Sequence, residues 1–161
     1  MLKQKILIVE DETIIAMELS HRLKRGGYDV VAAVTSGEEA IKNAAELAPD
    51  LILMDIHING SLDGVETAEI INSTQDIPII YLTAFSDDKT LERAKLTEPY
   101  GFLIKPFEER VLETTIEVAL YKHTVELRQR ENELWLDATL KNINDGIITT
   151  DIDGNINFVN N

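Results

Sequence analysis

LILMDI, residues 51–56, sets four apolar residues in a row and then a carboxylate, Asp55. The run is apolar throughout and does not alternate with polar residues. That is the pattern of a strand buried on both faces in a parallel sheet. Working outward, Ile6 to Val9, Tyr28 to Val34, Ile77 to Leu82 and Gly101 to Ile104 repeat it, and each run is followed by a helical stretch. Five βα units in succession predict a parallel sheet with right-handed crossovers and helices on both faces, a doubly wound α/β fold.

Punctuation marks the boundaries. Gly26-Gly27 stops the first helix, Ser36 caps the second with Glu39 three residues on, and Pro49 ends it. The third helix is expected from about Gly64, with Val65, Ala68, Ile71 and Ile70 on its apolar face, and Asp76-Ile77-Pro78 restarts an extended strand. A short fourth helix is expected over about Asp87 to Thr97.

From Phe107 the composition changes. FEERVLETTIEVALYKHTVELRQRENELWLDATLKNIND, residues 107–145, has no Gly or Pro and is rich in Glu, Leu and Arg, which predicts a long C-terminal helix. Leu120, Leu127 and Leu134 recur every seven residues, with Ile116 and Ala138 offset by four, so a homodimeric coiled coil over part of it is the favoured expectation. The alternative is that its first turns pack on the sheet and the rest is a solvated linker. DGIITTDIDGNINFVNN, residues 145–161, reads as a hairpin turning at residues 151–155, the expected start of a second domain cut within the sequence. The domain reading is therefore 1–120, a linker helix over 121–142, and a truncated second domain over 143–161.

Composition narrows the function. The chain has 161 residues, 44% of them hydrophobic, enough for one packed domain with an appendage. Its 15 Lys and Arg stand against 29 Asp and Glu, a net charge of −14, so a phosphate backbone or an anionic membrane surface would be repelled. No stretch has the length or apolarity of a membrane span or a secretory signal. With no cysteine, thiol catalysis and Cys-ligated zinc are excluded and the chain fits a reducing cytosol, leaving oxygen chemistry.

In an open parallel sheet the site forms beyond the carboxyl ends of the strands. Those ends carry Glu10-Asp11, Asp55, Thr83 and Lys105. Three neighbouring acids repel one another unless they share a cation, and hard oxygen ligands suit Mg²⁺. With its charge so compensated, an Asp55 oxygen is able to attack phosphorus. Taken singly, each residue has an ordinary reading as a strand-end acid, a cap or a surface charge. Their convergence on one edge is what argues for a site.

ILIVEDE, LILMDI, YLTAF and GFLIKPF, at residues 6–12, 51–56, 81–85 and 101–107, resemble the four signature segments of the response-regulator receiver family, over about residues 3–120. The resemblance implies a flavodoxin-like sheet of order 2-1-3-4-5 and a phosphoacceptor in two-component signalling rather than an enzyme. It implies that Asp55 takes a phosphoryl group from a sensor histidine kinase or phosphotransfer protein, and that Glu10, Asp11, Asp55 and the main-chain carbonyl of His57 hold Mg²⁺. Lys105 and Thr83 would contact the phosphoryl oxygens, Ala84 would leave room for the group, and Phe102 matches the switch aromatic of a helix 4, strand 5 and helix 5 face. The family's cis peptide would fall at Lys105-Pro106.

Two departures stand out. Glu10 replaces the commoner Asp, and the loop HINGSLDG, residues 57–64, lacks the usual Met-Pro and looks one residue longer. The bulk of His57 and Phe85 predicts slow self-dephosphorylation. His57 otherwise reads as a loop side chain, His21 as part of a helix face, and His123 as solvated. Residues 131–161 are similar to the opening of a PAS sensor domain, with Trp135 a contact of the linker helix or a staple onto that domain. Two rival readings remain: an aspartyl-phosphate hydrolase, disfavoured because His57 stands where a second Asp is wanted, and a receiver-like dimerisation module that is never phosphorylated.

Overall fold

The computed structural model describes residues 3–84, 88–142, 148–153 and 155–159. In chain order the elements are β1 (Lys5–Val9), α1 (Thr13–Arg25), β2 (Asp29–Val34), α2 (Gly37–Leu47), β3 (Leu51–Asp55), α3 (Gly64–Thr74), β4 (Ile79–Thr83), α4 (Asp88–Leu96), β5 (Gly101–Ile104), α5 (Glu109–Asn142), β6 (Ile148–Thr150) and β7 (Ile156–Val159). The first five strands form one parallel sheet in the order β2-β1-β3-β4-β5. The chain divides into two compact units, residues 1–123 and 124–161.

Because successive strand residues face opposite ways, an unbroken apolar strand supplies two cores. Leu7, Val9, Ile52, Met54 and Tyr81 face α2, α3 and α4, where they pack with Ala40, Ala44, Val65, Ala68, Ile71 and Ala94. Ile6, Ile8, Leu51, Leu53, Ile80, Leu82 and Leu103 face the other way, onto Leu19 and Leu23 of α1 and Leu112, Ile116 and Ala119 of α5. Both faces are thus covered, as the unbroken runs require.

The caps follow the residue types. Ser36 accepts from the Glu39 N–H at 3.3 Å, and Asp63 and Glu66 form a reciprocal capping box at the start of α3. At the end of α2, Ala48 adopts φ 45° just before Pro49, which disfavours the helical conformation there. Ile70, expected on the apolar face of α3, is 40% exposed. Asp87, the expected start of the fourth helix, lies outside the described residues.

Two expectations about the long helix are revised. His123 is not solvated: its Nε2 lies 3.2 Å from Asp76 Oδ1, and its ring meets Tyr100 edge-on at 5.6 Å. The turn into β5 and the approach to β4 bring both partners against α5. The leucine seam also begins inside the first unit, since Ile116 is fully buried and Leu120 packs against the same core. The two later leucines, Leu127 and Leu134, are exposed, as is Trp135.

In the second unit β6 and β7 pair antiparallel, as the hairpin reading expected. Asp151 closes the turn: Oδ1 accepts from the N–H groups of Asp153 and Asn155 at 2.9 and 2.8 Å, and Oδ2 from the Asn155 amide at 2.9 Å. No described helix is long and apolar enough to cross a membrane.

Candidate functional site

The sheet register brings the strand ends together. Val9 pairs with Met54, Asp55 with Leu82 and Thr83 with Ile104, so Glu10, Asp55, Thr83 and Lys105 emerge at one edge. Carboxylate atoms of Glu10, Asp11 and Asp55 lie within 4.8 Å of one another. Glu10 and Asp55 are buried and Asp11 is half-buried.

Lys105 reaches into this cluster, its Nζ donating to Glu10 Oε2 and to Asp55 Oδ2, each at 2.6 Å. Asp55 Oδ1 accepts from the main-chain N–H of His57 at 2.9 Å. Burial pushes the Glu10 carboxyl up to about 7, opposed by the hydrogen bond from Lys105 and reinforced by the charge of Asp55. Burial also acts to lower the Lys105 ammonium, but hydrogen bonds to Asp55 and Glu10 outweigh it and the net shift is upward. The ammonium therefore stays charged between two carboxylates. Among the described residues the donor set is wholly hard carboxylate oxygen, which fits Mg²⁺.

The remaining expected residues are placed as follows. Thr83 is buried, its hydroxyl donating to the Ala84 carbonyl at 3.0 Å, and the Ala84 side chain is exposed. Phe102 stacks on Tyr81 with ring centroids 5.7 Å apart and packs against the core under α3 and α4. Lys105-Pro106 is cis. Phe85 lies outside the described residues, and the His57 side chain is exposed.

Three neighbours went unread in the sequence. Asn59 Nδ2 donates to Asp11 Oδ2 at 2.6 Å. Arg93 of α4 pairs with Asp63, the cap of α3, at 2.9 Å. The Tyr81 hydroxyl shares a 2.9 Å hydrogen bond with Thr97. These partners are 48, 30 and 16 residues apart, so no local pattern announces them.

Gly64 packs directly against the Asp55 peptide. A Cβ there would lie 2.0 Å from the Asp55 carbonyl oxygen, which belongs to backbone and is unable to swing aside. Gly64→Ala is expected to destabilise the fold by about 3 kcal/mol, the upper end of ordinary overpacking. Urea unfolding monitored by circular dichroism checks this.

A doubly wound sheet whose carboxyl edge gathers three acids, two of them paired with one lysine, defines an open α/β switch-point site. The chain belongs to the response regulator receiver domain family, whose model matches residues 6–117. It is 38% identical over 117 residues to the transcriptional regulatory protein PdtaR of Mycobacterium tuberculosis, covering 73% of this chain and 57% of that protein. The chain thus spans little more than half the length of that relative.

Among solved structures it is similar to the signal receiver domain of a modulated diguanylate cyclase from Desulfovibrio desulfuricans. That match has 41% identity and TM-score 0.75, over 78% of this chain and 99% of that one. A second is the N-terminal domain of a response regulator/sensory box/GGDEF three-domain protein from Carboxydothermus hydrogenoformans, with 37% identity and TM-score 0.71 over 77% and 99%. A third is the receiver domain of a sensor histidine kinase from Pseudomonas aeruginosa with a magnesium ion coordinated in its active-site cleft, with 29% identity and TM-score 0.67 over 74% and 98%.

Proposed function

We propose that Asp55 accepts a phosphoryl group from the phosphohistidine of a sensor histidine kinase or phosphotransfer protein. The observation that carries the reading is the cluster of Glu10, Asp11 and Asp55, two of whose carboxylates, Glu10 and Asp55, are bridged by Lys105. Glu10, Asp11, Asp55 and the His57 carbonyl would hold Mg²⁺, as the magnesium in the Pseudomonas relative supports. Bound there, the ion would share the charge of the carboxylates and of the phosphoryl oxygens. An Asp55 oxygen attacks phosphorus in line while the P–N bond to the donor imidazole breaks, and the nitrogen keeps the electron pair. Lys105, already against Asp55 Oδ2, moves its charge onto a phosphoryl oxygen. An apolar groove beside it, lined by Ile15, Leu19, Arg22, Pro106 and Phe107, suits the docking of a donor helix.

The added charge would draw the Thr83 hydroxyl off the Ala84 carbonyl, and the space left would admit Phe102 from its stack on Tyr81. The α4, β5 and α5 face would repack as a result. Because α5 continues into the linker helix, the readout passes to the region after residue 142, which we read as the start of a PAS domain. The three-domain relative with a sensory box supports that layout of receiver 1–120, signalling helix 121–142 and PAS-like start 143–161. Exposed Val118, Tyr121 and Val125 on α5 support pairing with a second copy. The reading implies a cytoplasmic location.

Intact mass after incubation with Mg²⁺ and acetyl phosphate tests the reading. One added phosphoryl group that disappears when Mg²⁺ is chelated is the expected result. Catalytic consumption of the donor without an adduct would replace it with the hydrolase reading.

A further inference from the structure

The three acids are not held alike. Lys105 fixes Glu10 and Asp55 from one side, at 2.6 Å each, but does not reach Asp11. Asp11 is instead met by Asn59, whose amide nitrogen lies 2.6 Å from Oδ2. An ionised carboxylate only accepts hydrogen bonds, so the amide is the donor and its orientation is settled by chemistry.

Asn59 belongs to the loop between β3 and α3, and that loop is secured independently of it. Ser61 hydrogen-bonds Glu38 of α2, and Asp63 both caps α3 and pairs with Arg93. Gly60, at φ 132°, makes the turn between Asn59 and Ser61. The contact to Asp11 is therefore separable from the folding of the loop.

We infer that Asn59 is a positioning residue for Asp11: by occupying Oδ2 it orders a half-buried side chain and keeps the other oxygen for a divalent cation. The inference rests on the reading that Asp11 helps hold Mg²⁺. A free carboxylate loses rotamer entropy when it binds a metal, and a partner that has already ordered it removes part of that cost. Donors behind a metal ligand typically change affinity roughly ten- to a hundredfold when removed. Asn59 is exposed and neutral, so the lower end applies.

The test is calorimetric titration of the whole chain with Mg²⁺ for the wild type, Asn59→Ala and Ser61→Ala, with melting of each in EDTA. Asn59→Ala is expected to bind Mg²⁺ roughly tenfold more weakly with an unchanged melting temperature. Ser61→Ala, which loosens the same loop away from Asp11, is expected to stay within about twofold of wild type. Wild-type affinity in Asn59→Ala overturns the inference. Equal weakening in Ser61→Ala also overturns it, since loop stiffness would then be the cause. Absence of Mg²⁺ binding by the wild type would overturn both this inference and the metal reading beneath it, whereas the other two results leave that reading standing.

Discussion

Asp55→Asn is expected to remove phosphoryl acceptance altogether while leaving a folded protein. The substitution keeps the shape of the side chain and takes away the anionic oxygen that would attack phosphorus, so the adduct formed with Mg²⁺ and acetyl phosphate should fall by about a thousandfold or more. The structural cost is small and calculable in kind. Asp55 uses both oxygens, Oδ1 for the His57 N–H at 2.9 Å and Oδ2 for Lys105 at 2.6 Å, and asparagine has only one oxygen to offer. One donor then faces an NH₂ group, at a cost of about 1–3 kcal/mol. Against that, removing a buried negative charge next to buried Glu10 relieves the repulsion that adds to the upward shift of its carboxyl. Melting should therefore shift only slightly. An Mg²⁺-dependent adduct that survives in the asparagine variant would move the acceptor to another residue.

The parts of this architecture that were legible in sequence share one property, that neighbours in space are set by an element's own pattern. Unbroken apolar runs such as Leu51–Met54 demand cover on both faces, and that demand alone implies the sandwich of helices observed. Once the strands are parallel, residues following them gather at one edge, which is why the sequence alone brings Glu10, Asp55, Thr83 and Lys105 together. What stayed hidden depended on pairs remote in sequence. His123 sits in a stretch of charged residues and reads as wet, yet Asp76, 47 positions earlier, meets it. The heptad of leucines is real as a spacing, but its start serves the sheet, because Ile116 and Leu120 belong to the core that α1 and α5 share with the strands. Asn59 lies in a loop without periodicity, and only the folded loop brings it to Asp11.

The sequence places Lys105 at the same edge as the acids, and the folded site shows that it pairs with two of them. Treated as strand-end residues, Glu10, Asp11 and Asp55 call for an external cation, but the structure already supplies one in Lys105. The longer arm of Glu10 is relevant here: its carboxylate lies against the ammonium and is fully buried, so the departure from the commoner aspartate coincides with an internal ion pair. A metal bound at these acids and the lysine would thus make competing claims on the same oxygens.

Lys105→Met separates those claims, and its effects on Mg²⁺ affinity and on phosphoryl acceptance should run in opposite directions. Methionine keeps most of the apolar stem and deletes the charge. Glu10 and Asp55 are then left buried without a counter-charge, and the metal-free fold should lose about 3 kcal/mol, at the lower limit for a broken buried pair because Glu10 can relieve the strain by taking a proton. The same uncompensated charge should draw Mg²⁺ roughly tenfold more tightly, equivalent to about 1.4 kcal/mol of removed competition. Phosphoryl acceptance should nevertheless slow by roughly a hundredfold, the loss expected when one pre-placed donor to the developing phosphoryl charge is taken away. Calorimetric Mg²⁺ titration and the rate of adduct formation at saturating Mg²⁺ read the two effects independently. Unchanged Mg²⁺ affinity would mean that the ammonium does not compete for the acids. An unchanged rate would mean that the phosphoryl group is received away from Lys105, and the ion pairs at 2.6 Å would then serve the resting fold alone.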